Sequence, residues 1–171
     1  MSKKIIMVIA QEGFRDEELL EPKALFEERG YDVQIASPEK GLCKGMLGAV
    51  LESDVALADV VIDKTVAALV VVGGANSPSL MDYPVLGKIL KDVRSKNIVL
   101  GAICLAPMIV ASFGVIDEIH ATVYKTDDSM SMFKNHKIIY FQEDVLVDEK
   151  IVTANGPHAA TIFAEEVLST I

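Results

Sequence analysis

Positive charge, cysteine and long apolar runs are all scarce in this 171-residue chain, and each shortage removes a class of protein. Sixteen Lys and Arg stand against 25 Asp and Glu, a formal net charge of −9. Nucleic-acid binding needs clustered basic residues to displace counterions, so no nucleic-acid partner is expected, and an anionic membrane is disfavoured for the same reason. The two cysteines, Cys43 and Cys104, form no C-x-x-C pair and have no histidine cluster beside them, which argues against a zinc site or a disulfide framework. Reduced thiols and no metal or other cofactor are expected. The longest apolar run near the N-terminus is Ile5 to Ala10, after Lys3 and Lys4. It is too short for a signal-peptide core or a membrane span, so a cytoplasmic location is expected. Linkers, repeats and low-complexity tracts are missing too, and the expectation is one domain over residues 1–171, large enough to bury its core without staples.

What is present reads as alternating strands and helices. Lys4 to Ala10 is a continuous Ile- and Val-rich run, the pattern of a parallel strand buried on both faces. From Asp16 to Arg29 the apolar residues recur at helical spacing, with Asp16, Glu17 and Glu18 in a first turn where the helix dipole favours anions, and Gly30 ends the helix. Tyr31 to Ala36 is the next strand, so the chain opens with a right-handed strand–helix–strand unit. Glycines 41, 45 and 48 between short apolar pieces suit a small hairpin over residues 40–53, beside the main sheet. Val66 to Val72 is a further strand, closed by Gly73 and Gly74 before Asn76, Ser77 and Pro78 open a helix running to about Lys96. Ile98 to Ile103 passes straight through Cys104 into an apolar helix containing Pro107. Later residues give short strand candidates at His120 to Tyr124, Lys137 to Phe141, Asp144 to Val147 and Ile151 to Thr153, then an amphipathic helix from Pro157 to Leu168.

Cys104 occupies the junction where chemistry is expected, because open parallel sheets bind ligands at the carboxyl ends of their strands. A thiol at a helix start is expected to ionise more easily, since the unpaired N–H groups there favour the thiolate. From position alone, a small buried hydrophobe and a reactive thiol weigh equally for Cys104. The run Gly101-Ala102-Ile103-Cys104-Leu105-Ala106-Pro107 has the small residues of a nucleophile elbow. Backbone N–H groups of the Gly73-Gly74 turn and of Leu105 are candidate oxyanion donors, with Asn76 beside them in the pocket.

Taken together, the first strand with its Glu18 helix, the Gly73-Gly74 turn and the Ala-Ile-Cys elbow resemble the ThiJ/PfpI superfamily, which includes the Parkinson-associated deglycase and archaeal intracellular peptidases. The resemblance spans nearly the whole chain. It implies a flavodoxin-like α/β sandwich of the class I glutamine amidotransferase type, doubly wound, with a mostly parallel central sheet and helices on both faces. It also implies a cysteine nucleophile, Cys104, with an acidic residue from the first helix against its sulfur. Glu18 matches that position, with Glu17 as the fallback. Two neighbouring anions disfavour each other, so the carboxyl of such a pair is expected to hold its proton above the ordinary range.

The chain departs from the family pattern at three places. Peptidase-like members have His directly after the nucleophile, whereas Leu105 stands here. Tyr124 stands near the place where other members have a different His. Ala106 replaces a glycine. His158, in Asn155-Gly156-Pro157-His158, opens the last helix where related amidotransferase domains bring their histidine to the cysteine; it is the remaining candidate base, and it reads at least as readily as a partly exposed histidine at a helix start. His120 and His136 receive no role, and Cys43 is taken as structural. Three functions follow from the resemblance: thiol chemistry on small reactive carbonyls, glyoxalase III-like or deglycase-like, with Cys104 and Glu18; an oxidative-stress sensor or chaperone working through Cys104 oxidation; and a peptidase or amidase, disfavoured by Leu105. The implied partners are a carbonyl substrate or an oxidant, and a second copy of the chain in a homodimer.

Overall fold

The computed structural model describes residues 3–171. The chain forms β1 (Lys4–Val8), β2 (Glu12–Phe14), α1 (Asp16–Glu28), β3 (Asp32–Ser37), β4 (Leu42–Gly45), β5 (Val50–Glu52), β6 (Val55–Ala56) and β7 (Val66–Val71). It continues with α2 (Pro84–Ser95), β8 (Val99–Ile103), α3 (Ala106–Ser112), β9 (His120–Ala121), α4 (Asp127–Asn135), β10 (Ile139–Tyr140), β11 (Val145–Asp148), β12 (Ile151–Ala154) and α5 (Ala160–Thr170). Seven strands make the central sheet in the order β11-β12-β8-β7-β1-β3-β6, and every pairing in it is parallel except β11 with β12. This is the mostly parallel α/β sandwich expected from the sequence.

Alternation along the strands explains why they read as unbroken apolar runs. Ile5, Met7 and Ile9 belong to one buried cluster while Ile6, Val8 and Ala10 belong to the other, so each face of β1 has its own core. α1 and α5 pack together over the first face, and α2 and α3 cover the second. Gly101 sits in β8 where α5 comes closest; a Cβ there would lie 2.9 Å from Phe163 Cζ and 3.2 Å from Val167 Cγ2 and Val70 Cγ2.

Two sequence expectations are corrected. The helix expected from Asn76 to about Lys96 is broken into a 3-10 segment, Ser77–Asp82, and α2. Pro84 cannot continue a helix from its N-terminal side, and it forces Tyr83 to an extended backbone (φ −108°, ψ 94°) before occupying the first position of α2. α4 falls where no helix was expected. It has one fully buried large apolar residue, Phe133, so its periodicity is faint, and it starts on a capping box in which Thr126 and Ser129 satisfy each other's backbone N–H groups. The late strands β9 and β10 are shorter than the apolar runs containing them. The expected hairpin forms from β4 and β5, and β2 joins it to make a second, three-stranded sheet. None of the described helices is long and apolar enough to cross a membrane.

Replacing Gly101 with Ala should overpack the β8–α5 contact and cost about 1–3 kcal/mol. Urea unfolding checks this: the midpoint should fall while the slope stays constant.

Candidate active site

The doubly wound sheet changes direction at β1, where the chain runs first to β3 on one side and then to β7 on the other. Ligand sites form outside the strand ends at such a switch. Three connections meet there: the segment from β1 into α1, the Gly73-Gly74 turn after β7, and the β8–α3 junction.

Cys104 at that junction has φ +63°, in the left-handed region. A non-glycine residue there costs roughly 1–2 kcal/mol, and it is retained only where its surroundings over-determine it. Its N–H donates to Ala154 O (2.8 Å) and its carbonyl accepts from Tyr124 N–H (2.8 Å), so β12 and the loop after β9 hold the turn from both sides. The residue is 9% exposed.

Glu18, in the first turn of α1, is completely buried against Cys104. Its Oε2 accepts from Gly73 N–H (2.9 Å), while Oε1 has no N–H or O–H partner and is left to the thiol. Glu17 points elsewhere: Arg15 holds it with two bonds, Nε to Oε2 (2.8 Å) and Nη2 to Oε1 (3.0 Å), and keeps its carboxyl below the ordinary range. The structure therefore brings Glu18, rather than the neighbouring acid, to the sulfur.

Burial pushes the Glu18 carboxyl up to about 7, against the opposing pull of the Cys104 thiol, the Gly73 N–H and the Arg15 charge. Burial is also the largest influence on Cys104, reinforced by the charge and hydrogen bond of Glu18, and the thiol is pushed up to about 12. The N–H groups of Leu105 and Gly74 oppose this without reversing it. The expectation of an easily ionised thiol is thus corrected: the N–H of Leu105 at the start of the seven-residue α3, even with that of Gly74 from the turn after β7, does not outweigh desolvation beside a carboxylate. Near neutral pH the thiol keeps its proton while the carboxyl is part-way through losing its own.

The remaining candidates fall in different places. Gly73 is no oxyanion donor, because its N–H is taken by Glu18. The N–H groups of Gly74 and Leu105 are directed at the sulfur. Gly74 has φ +123°, and a Cβ on it would collide with Arg15 N and Gly13 O, so a glycine is needed for the approach. Asn76 lies outside the pocket wall; its amide donates to Glu12 O (3.1 Å) and ties β2 to the Gly-Gly turn. Arg15, Met46, Leu105, Tyr124, Pro157 and His158 wall a pocket of about 470 Å³ around Cys104 and Glu18. His158 shares that wall, but its Nε2 is bonded to Asp144 Oδ1 (3.0 Å), and Glu18 is the side chain hydrogen-bonded to the thiol.

Sequence reasoning missed Arg15, Asp16, Met46, Asp144 and Asn155. Asp16 is buried and binds the turn between β4 and β5, Oδ1 accepting from Leu47 N–H (3.1 Å) and Oδ2 from Ala49 N–H (2.7 Å). That clasp places Met46 over the pocket. The only sequence signal for it was the run of glycines in the hairpin, which needs a partner across the chain.

The profile of the DJ-1/PfpI family matches residues 3–170. The chain belongs to the DJ-1/PfpI family. It is 39% identical over 168 residues to an uncharacterised protein of Methanocaldococcus jannaschii, covering 98% of this chain and 82% of that one. Deglycase PfpI of Pyrococcus furiosus is 30% identical, with 90% of each chain covered. A glutathione-independent glyoxalase, DJR-1.2, of Caenorhabditis elegans is 27% identical over 99% of this chain and 89% of its own. Among solved structures, a ThiJ/PfpI domain protein from Brachyspira murdochii superposes with a TM-score of 0.91 at 27% identity, covering 99% of this chain and 96% of the other.

A buried carboxyl raised from 4.5 to about 7 makes stability pH-dependent with a fixed sign. As pH rises through that window the unfolded chain loses its proton first, so stability present at the acid end is lost toward neutrality, by about 3 kcal/mol. Glu18→Gln should remove this contribution. Urea unfolding of both proteins at the two ends of the window should show the variant gaining on the wild type as pH rises.

Proposed function

We propose that this DJ-1/PfpI protein converts small 2-oxoaldehydes to 2-hydroxy acids through a covalent adduct on Cys104, with Glu18 as the acid and base. The observation that carries the reading is the buried, hydrogen-bonded Glu18–Cys104 pair in a pocket of a size suited to small molecules. The names of the glyoxalase and deglycase relatives point to the same chemistry.

As the sulfur attacks the aldehyde carbon, the S–H proton passes to the Glu18 carboxylate and from there to the carbonyl oxygen, which leaves a hemithioacetal. A carboxyl poised near 7 suits this transfer, and no standing thiolate is needed. Glu18 then removes the hydrogen from the former aldehyde carbon and returns it to the adjacent carbon. The first carbon is oxidised and the second reduced, with no external electron acceptor, and the product is a thioester of the 2-hydroxy acid. Water adds to the thioester, the C–S bond breaks, and the thiol is restored. The N–H groups of Gly74 and Leu105 support charge on the sulfur and on the oxygen of the carbon bonded to it.

The same two N–H groups favour a second reading. They would bind the oxygens of a Cys104 sulfinate, as a sensor of oxidants requires.

Methylglyoxal is the direct test. Wild-type protein should form lactate, Cys104→Ala should form none, and Glu18→Gln should lower kcat by about 10²–10⁴-fold. Absence of lactate from wild-type protein, together with conversion of Cys104 to sulfinate by dilute peroxide, would replace the carbonyl reading with the sensor.

A further inference from the structure

His158 is paired for a reason that stability does not supply. The side chains of His158 and Asp144 are 60% and 65% exposed, and pairs so open to water contribute little to stability. Their geometry is nevertheless organised. Asp144 stands just before β11 and Asn155 just after β12, and the β11–β12 ladder is extended by Asn155 N–H donating to Asp144 O (3.1 Å). Asp144 Oδ1 then accepts from Asn155 Nδ2 (3.4 Å) and from His158 Nε2 (3.0 Å).

These bonds, that of His158 first, hold the Asp144 carboxyl below its ordinary range, so it is an acceptor only. In the neutral imidazole the proton therefore lies on Nε2, and Nδ1 keeps a free lone pair. His158 also stands between two spaces: it lines the Cys104 pocket and a second, adjoining one of about 270 Å³ that includes Tyr124, Asn155 and Pro157.

We propose that His158, oriented by Asp144 and Asn155, is the base that takes a proton from the water that hydrolyses the Cys104 thioester. The inference rests on the carbonyl reading above and deepens it. Glu18 serves the first half of that reaction from the closed side of the sulfur, fully buried and bonded to Gly73. Once the sulfur is acylated, water enters from the open side of the pocket, where His158 lies. The water oxygen bonds to the thioester carbon while its proton passes to Nδ1. The tetrahedral species then collapses and the C–S bond breaks. The second proton of the attacking water passes through Glu18 to the departing sulfur, so the hydroxy acid leaves as its carboxylate, while the imidazolium gives its proton to solvent. His158 acts as a catalytic residue here; Asp144 and Asn155 are positioning residues.

Single-turnover mixing with methylglyoxal, followed by intact-protein mass, separates the two halves of the reaction. His158→Gln should consume methylglyoxal in the first turnover as the wild type does. It should then release lactate about 10²-fold more slowly and accumulate protein heavier by one substrate molecule. Asp144→Asn should accumulate the same species less completely, and Asp144→Glu should restore release. Normal lactate release by His158→Gln with no adduct, or a loss confined to the first step, would overturn the assignment to His158 while leaving Cys104 chemistry in place. A wild-type protein without Cys104-dependent turnover would overturn the carbonyl reading itself, and this inference with it.

Discussion

A Cβ on Gly73 would lie 2.6 Å from the Cβ of Cys104, 2.6 Å from Glu18 Oε2 and 2.6 Å from Ile103 O, so β7, β8 and α1 can converge only around a glycine. That close approach makes the rest possible. It lets the Gly73 N–H reach the carboxyl, seals the carboxyl from water, and brings the sulfur against it. Any larger residue would separate the two groups and admit solvent, and the hydrogen bond between them would lose its enclosure. The strained backbone of Cys104 belongs to the same arrangement, since its +63° turn aims the side chain at the space Gly73 leaves open.

Much of this architecture was legible because both faces of the sheet are covered. Ile5 to Ile9 and Ala68 to Val72 alternate between two cores, and a strand buried twice leaves an unbroken apolar signature. Where burial is one-sided or partial the signature fades, as in α4 and in the two-residue strands β9 and β10. The place of Cys104 followed from one local pattern, a strand running without a gap into a helix. The long-range partnerships did not: Asp16 with residues 47 and 49, and Asp144 with His158, join positions whose proximity exists only after folding.

The electrostatics of the pair illustrate why a local rule misjudged the thiol. A helix start lowers the pKa of a cysteine when the sulfur is also solvated or faces a cation. Here the sulfur faces a carboxyl in a nearly dry site, and desolvation acts on both groups in the same direction. The outcome is an acid moved toward neutrality beside a thiol held well above it.

The clasp formed by Asp16 places two jobs on one turn of helix. Asp16 fixes the hairpin that lays Met46 over the pocket, and two residues later Glu18 faces the sulfur from the other side of the same turn. The roof of the pocket is thus anchored to the helix that carries the acid, yet it is made of a loop whose tip, residues 46–48, touches none of the reacting groups through the backbone bonds that hold it. Because the clasp is made through the backbone N–H groups of residues 47 and 49, side chains at that tip can change without loosening it, so the shape of the pocket's roof can be altered without moving Glu18.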